Sequence, residues 1–331
     1  RTWSGGGSTG LEFLEERTLL SVTAVLGANS VTFQSSDGSD DLSLTLYQGK
    51  IHYNTNIGGN YDSVNYTPSP SSPTTITYQT AFGGDVTGTL TIVGMDQGGA
   101  KFTTAGAVVI SGDVSTLGGD LTVTGSSVKV QDASTVVGSS GTLLAESGAV
   151  FTITGANAGE QTMTVTSAQG ATPLGEGQWV TYHGPNSGQL IDGTAYAVDV
   201  VATGNPATIQ LKDAVAVSTA PSSGAAGNLT LTAPTIRVGS YARLYAKGTS
   251  GAGDITLSAS ATDTGQTYFT LINQFQDAFN PSFTATIDLD RGASLLGGDI
   301  TISSEAGTNS LFGNASQAGA VAAGLLGSPV A

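Results

Sequence analysis

Gly119-Asp120-Leu121-Thr122-Val123 is the stretch that decides how this chain folds. The phrase is a glycine, then Asp or Asn, then an apolar–Thr–apolar strand. It returns as Gly227-Asn228-Leu229-Thr230-Leu231, Gly253-Asp254-Ile255-Thr256-Leu257 and Gly298-Asp299-Ile300-Thr301-Ile302. Weaker copies read Gly88-Thr89-Leu90-Thr91-Ile92 and Gly148-Ala149-Val150-Phe151-Thr152-Ile153. Alternation of this kind marks a strand with one buried face. Leu121/Val123 and Ile255/Leu257 are expected to point inward, and the threonines outward, where β-branching suits the pleat. Glycine with Asp or Asn before each strand is expected to supply positive φ at the corners.

The spacing of the copies sets the architecture. Asn228 and Asp254 are 26 residues apart, and Asp254 and Asp299 are 45 apart. Coils of about 22–26 residues predict one coil in the first interval and two in the second. A second strand follows many copies, as in Val128-Lys129-Val130 and Ile236-Arg237-Val238. Each coil is too small to bury its own apolar side, so it must stack on its neighbours. The expected fold is all-β: a right-handed parallel β-helix (solenoid) with a small antiparallel β insertion and an N-terminal β cap. A sandwich alternates similarly but does not need one phrase repeated at coil length.

Six segments follow. Residues 1–21 are a Gly/Ser leader with a motif at its end. Residues 22–75 are the N-terminal β cap and a Pro/Ser connection; within them Leu42, Leu44 and Leu46 alternate with polar residues, and Gln48-Gly49 turns the chain into Ile51-His52-Tyr53. Residues 76–156 form the first part of the β-helix and 222–313 the second. Asn228 lies 108 residues after Asp120, and the excess coincides with a change of texture. Residues 157–221 are therefore read as an inserted antiparallel module, with Asp192-Gly193 as a hairpin turn and Trp179, Tyr182 and Tyr196 as a small aromatic core. Residues 268–283 break the β rhythm as a short helix or a loop covering the flank. Residues 314–331 are an Ala/Gly-rich tail.

Composition narrows the function. Glycine is 47 of 331 residues, charged residues are 11%, and ten Lys+Arg oppose 25 Asp+Glu for a net charge of −15. After Arg17 no arginine occurs until Arg237. No basic stripe exists to neutralise phosphates, which argues against nucleic acid as a partner. There are no cysteines, which excludes a disulfide scaffold, thiolate zinc sites and a cysteine nucleophile. No run of eighteen apolar residues is present to span a membrane. Arg1-Thr2-Trp3 is not an intact signal peptide, and the expectation is a piece of a longer precursor.

Three resemblances add to this reading. Leu11, Glu12, Leu14, Glu15, Arg17, Leu19, Leu20 and Ser21 resemble the LEPR-XLL motif of large exported proteins of planctomycete-type bacteria, with Glu16 where that family often has Pro. That resemblance implies a sorting motif, and an extracellular or cell-surface protein; the alternative is a solvated first helical turn. The Gly-Asp/Asn repeat looks like the repeats of filamentous haemagglutinin-type adhesins. Residues 179–198 look like the V-T-Y … I-x-G-x-x-Y-x-V modules within large bacterial surface proteins.

Candidate sites are sparse. His52 and His183 fall in different modules, whereas zinc needs three or four converging ligands. Asp37, Asp40 and Asp41 gather three carboxylates in a Gly-containing turn and Asp288/Asp290 share a strand face; hard oxygen ligands suit Ca²⁺, and the alternative is a solvated acidic turn. Arg237, Tyr241, Arg243, Tyr245 and Lys247 form the one basic–aromatic patch, a surface contact patch or simple paving of an outer face. No catalytic residue is assigned. The expected function is a non-enzymatic structural or adhesive segment contacting cell-surface or extracellular matrix components, polysaccharide among them, through an extended flank. The alternatives are a polysaccharide-acting lyase or glycoside hydrolase, favoured by a groove of convergent carboxylates with Lys or Arg, and a calcium-stabilised surface module. A flat flank of Thr and Ser counts against the enzyme.

Overall fold

The computed structural model describes residues 22–47, 50–55, 61–65, 74–168, 172–263 and 284–308. The motif at 11–21, the segment 268–283 and the tail 314–331 lie outside the described residues. Every regular element among the described residues is a β-strand.

The first sheet has eight strands in the order Val22–Leu26, Ser30–Ser35, Thr74–Thr80, Ala100–Thr104, Leu121–Thr124, Leu229–Ala233, Ile255–Asp263, Ile300–Thr308. Only its first pair is antiparallel. The others are parallel and in unbroken register, so Leu121 lies beside Leu229, Leu229 beside Ile255 and Ile255 beside Ile300. The second sheet is curled and carries two parallel runs joined at Leu90–Asp96. One run continues through Ala107–Ile110, Ser127–Val130, Thr235–Val238 and Thr286–Leu289; the other through Val114–Ser115, Ala216–Ser218, Arg243–Tyr245 and Ser294–Leu296. The chain thus visits the first sheet, then one run, then the other, and returns to the first sheet beside its previous strand.

The inner faces of both sheets share one apolar cluster reaching from Val31 and Phe33 through Phe102, Val123, Leu231 and Leu257 to Ala306. Burying each Val, Leu or Ile side chain is worth about 1.5–3 kcal/mol, and no single round encloses its own. Leu121, Leu229 and Ile255 are at most 1% exposed, whereas Ile300 is 46% exposed on the last described strand. Thr74 occupies the same inner column, beside Ala100 and thus Leu121. Its hydroxyl is buried without a hydrogen-bond partner. Thr74→Val keeps the shape and removes the unpaired hydroxyl, so it should raise stability by about 1–3 kcal/mol, read as a higher Tm by circular dichroism.

The corners explain the repeated phrase. Asp120 Oδ1 accepts from the Asn228 N–H at 2.8 Å, Asn228 Oδ1 from the Asp254 N–H at 2.9 Å, and Asp254 Oδ1 from the Asp299 N–H at 3.0 Å. Each side chain caps the next round's backbone, a ladder across rounds rather than the local turn expected. The glycines differ from expectation as well: none of Gly119, Gly227, Gly253 or Gly298 has positive φ. Gly119, Gly227 and Gly253 are glycine because backbones touch there. A Cβ on Gly253 would lie 1.9 Å from the Gly227 carbonyl oxygen, and one on Gly227 2.3 Å from that of Gly119.

The insertion is a closed antiparallel barrel. Thr162–Ser167, Val150–Asn157, Thr142–Ala145, Trp179–His183, Ala195–Ala202 and Ala207–Asp213 pair in that order and the last closes on both neighbours, with Ser134–Val136 alongside. The barrel therefore occupies 134–213 rather than 157–221. Gly148–Ile153 is not a copy of the parallel repeat: Gly148, at φ 82°, turns a hairpin between Thr142–Ala145 and Val150–Asn157. That copy lacks the Asp or Asn that caps a next round. Tyr182 and Tyr196 lie in the barrel core, but Trp179 packs instead with Ala197, Ala214 and Tyr241 on the parallel stack.

Three further expectations change. Leu90 pairs with Val108 in the curled sheet, so Gly88–Ile92 repeats the second strand of a round, not the first. The interval from Asp254 to Asp299 is one round, because Ile255 and Ile300 are direct neighbours; much of its length, 264–283, lies outside the described residues. The parallel stacking begins within 22–75, where Ser30–Ser35 pairs with Thr74–Thr80 and Leu42–Tyr47 with Leu90–Asp96. The hairpin of Leu42–Tyr47 with Lys50–Thr55 is present as expected.

Candidate functional site

Register and alternation together build the most regular surface of the molecule. On the outer face of the first sheet one column runs Ser30, Thr75, Lys101, Thr122, Thr230, Thr256, Thr301. A second, two residues along each strand, runs Thr32, Thr77, Thr103, Thr124, Thr232, Ser258, Ser303. Seven strands with two positions each make fourteen places, and thirteen carry a hydroxyl. These side chains are half-buried against one another, with Lys101, Thr301 and Ser303 exposed. None of the thirteen hydroxyls hydrogen-bonds to another described residue. Neighbouring strands lie about 4.8 Å apart and alternate residues about 6.6 Å apart, so the face is a two-dimensional lattice of hydroxyl and methyl groups.

Among the described residues, the barrel joins the stack away from this face. The barrel leaves the chain after Ser127–Val130 and rejoins it before Ala216–Ser218, both in the curled sheet. Its polar contacts go to the same side. Arg291 Nη2 lies 3.0 Å from both Glu176 Oε1 and Asp199 Oδ1, and Asp199 Oδ2 lies 3.3 Å from Lys212 Nζ. The Tyr241 hydroxyl donates to Glu176, and burial followed by that bond pushes the phenol well above its ordinary range. Arg243 sits 4.6 Å from the ring centres of both Trp179 and Tyr245 and pairs with Glu146 at 3.1 Å.

The basic–aromatic residues named from the sequence therefore do not pave one face. Tyr241, 5% exposed at φ 60°, and Arg243 are packed against the barrel. Arg237 stands apart, bridging Asp132 at 3.3 Å and Asp290 at 2.6 Å. The Ser240 N–H, with Arg237 and Lys129 beside it, lowers the Asp132 carboxyl below its ordinary value. Lys247 lies at an isolated bridge with Ala252.

The acidic turn divides its carboxylates among separate tasks. Asp37 accepts from the Ser39 N–H and hydroxyl at 2.9 and 3.0 Å, which lowers its carboxyl below the usual range. Asp40 is buried and accepts from the Ser35 hydroxyl at 2.9 Å, and its carbonyl accepts from Tyr78, whose phenol burial pushes up to about 12. Asp41 accepts from the Thr89 N–H at 2.8 Å. The Asp37 and Asp40 carboxylates thus brace the turn internally while Asp41 ties it to Thr89, and the three do not converge as calcium ligands. Among the described residues no three His, Asp or Glu side chains converge to hold a metal ion. His183 lies 3.5 Å from Asp192 within the barrel's hairpin loop, away from His52.

Sequence reading missed the Glu176–Asp199–Lys212–Arg291–Tyr241 network, in which Arg291 lies 92 residues from Asp199 and still farther from Glu176, and whose members share no local pattern. It found the outward threonines but not their alignment in columns. Comparison of the chain with protein-family models, with curated proteins and with solved structures finds no match.

Proposed function

We propose that this chain is a non-enzymatic structural and adhesive segment of an exported, cell-surface bacterial protein. In this reading the parallel sheets are a right-handed β-helix serving as a rigid spacer, since crossovers between parallel strands are almost always right-handed. The observation that carries it is the two-column face of hydroxyls: a broad, repetitive surface, uncovered among the described residues, suits many weak contacts to a repetitive partner. The resemblance of residues 11–21 to a sorting motif supports export. Against the lyase or hydrolase reading stands a groove of about 460 Å³ among the described residues, whose lining includes Asp96 and Asp113 but no Lys or Arg.

The test is co-sedimentation of the purified chain with insoluble extracellular polysaccharide, together with an assay for new reducing or unsaturated sugar ends. Retention without product is expected. Release of oligosaccharides that ceases in Asp96→Asn or Asp113→Asn would overturn the reading in favour of the enzyme.

A further inference from the structure

We propose that the hydroxyl lattice on the first sheet binds the surface of ice. The inference rests on reading the chain as a contact segment and names the chemistry of its partner. Charge comes first. In a chain of net charge −15, only Lys101 among the fourteen positions is charged. An acidic ladder, Asp120, Asn228, Asp254 and Asp299, borders the first column, and the side-chain oxygens of its first three members are engaged by the next round's N–H groups. The two columns themselves form a nearly uncharged strip, which matches a neutral solid from whose lattice ions are excluded. The fourteen positions also hold no aromatic ring, so any solid bound here, a polysaccharide included, is held through hydroxyl and methyl contacts rather than by ring stacking.

Spacing and rigidity complete the match. Hydroxyls recur about every 4.8 Å along each column and about every 6.6 Å across it, repeats on the scale of oxygen positions on the prism faces of ice. A threonine presents both a hydroxyl, which replaces a lattice water as donor and acceptor, and a methyl, which fills the hollow between waters. The hydroxyls are uncommitted within the described structure. Packed shoulder to shoulder on strands whose inner residues are buried, they lose little further freedom on binding. Single contacts are weak, but thirteen on one rigid face act together.

The experiment measures thermal hysteresis and the partition of fluorescently labelled protein into a growing ice hemisphere, for the whole chain and three variants. Thr230→Lys plants a long charge in the middle of the lattice; Ser303→Lys does so at its exposed end and serves if the central variant does not fold. Thr235→Lys, at an exposed position on the curled sheet, is the control. The expected result is hysteresis and ice partition that Thr230→Lys, with an unchanged circular dichroism spectrum, reduces to the colligative baseline, that Ser303→Lys weakens, and that Thr235→Lys leaves intact. Absence of hysteresis in the unmodified chain, or its survival in a folded Thr230→Lys, overturns the proposal. A parallel arm uses crystalline cellulose and chitin particles. Binding there that Thr230→Lys abolishes, without any effect on ice, overturns the ice assignment while the adhesive reading stands; binding to neither solid removes both.

Discussion

Gly253→Ala should destabilise the parallel stack by about 3 kcal/mol, the upper end of the usual cost of overpacking. The added methyl would lie 1.9 Å from the Gly227 carbonyl oxygen and 2.5 Å from its carbon. Both obstacles are backbone, so no side chain can rotate away. Relief requires separating two rounds at the corner where the Asp254 N–H bonds Asn228 Oδ1 at 2.9 Å and the Leu229 N–H bonds the Asp254 carbonyl at 2.8 Å. Movement there weakens both bonds and loosens Ile255 against Leu229. Gly98→Ala is the comparison. Its Cβ meets nothing within 4 Å and its φ lies outside the left-handed region, so it should be neutral or stabilising by a few tenths of a kcal/mol, since alanine narrows the unfolded ensemble. Thermal unfolding followed by circular dichroism distinguishes the two. Equal Tm values for the two variants would mean that the rounds do not meet at this glycine.

The same corner shows how far the sequence could be read. The phrase of glycine, Asp or Asn and alternating apolar residues made the parallel rows legible, because alternation and repetition are local signals. The phrase's cause was not legible. Positive φ and close approach both select glycine, and only the distance between Gly253 and Gly227, residues in different rounds, separates them. The Asp ladder was hidden for the same reason: its partners lie 26, 45 and 108 residues away. Alternation without a capping acid misled at Gly148–Ile153, where a barrel hairpin shows the same apolar rhythm as a stacked strand. The length from Asp254 to Asp299 misled because Ile255 and Ile300 are register partners in adjacent strands, so the interval is one round whatever its length. For the hydroxyl face, each outward threonine was readable, but the lattice exists only through inter-strand register.

Asp199→Ala should be the most damaging change at the seam between barrel and stack, at about 3–5 kcal/mol. Asp199 and Lys212 are each only 12% exposed as side chains, whereas Arg291 is 65% exposed. Those exposures decide which half of the network matters. The Arg291 contact is a surface pair worth about 0–1 kcal/mol, and Arg291 keeps Glu176 at 3.0 Å in any case. Lys212 has no such reserve: without Asp199 its ammonium retains only the neutral acceptors Thr135 Oγ1 at 2.8 Å and Gln210 Oε1 at 2.7 Å, with the Tyr241 ring 5.5 Å away. The cost is therefore that of stranding a buried cation rather than the worth of the bond lost. A pair of replacements tests this distinction. Asp199→Leu with Lys212→Met removes both charges and should recover most of the stability lost by Asp199→Ala, because a packed apolar pair often equals a buried ion pair. Hydrogen exchange localises the effect: amides of Ala195–Ala202 and Ala207–Asp213 should lose protection in Asp199→Ala, while those of Ile255–Asp263, on the opposite sheet, keep theirs. If the single variant were as stable as the parent and the double variant no better, the network would be a surface decoration, and the seam would rest on the Trp179, Ala197, Ala214 and Tyr241 cluster with Arg243 against Trp179 and Glu146.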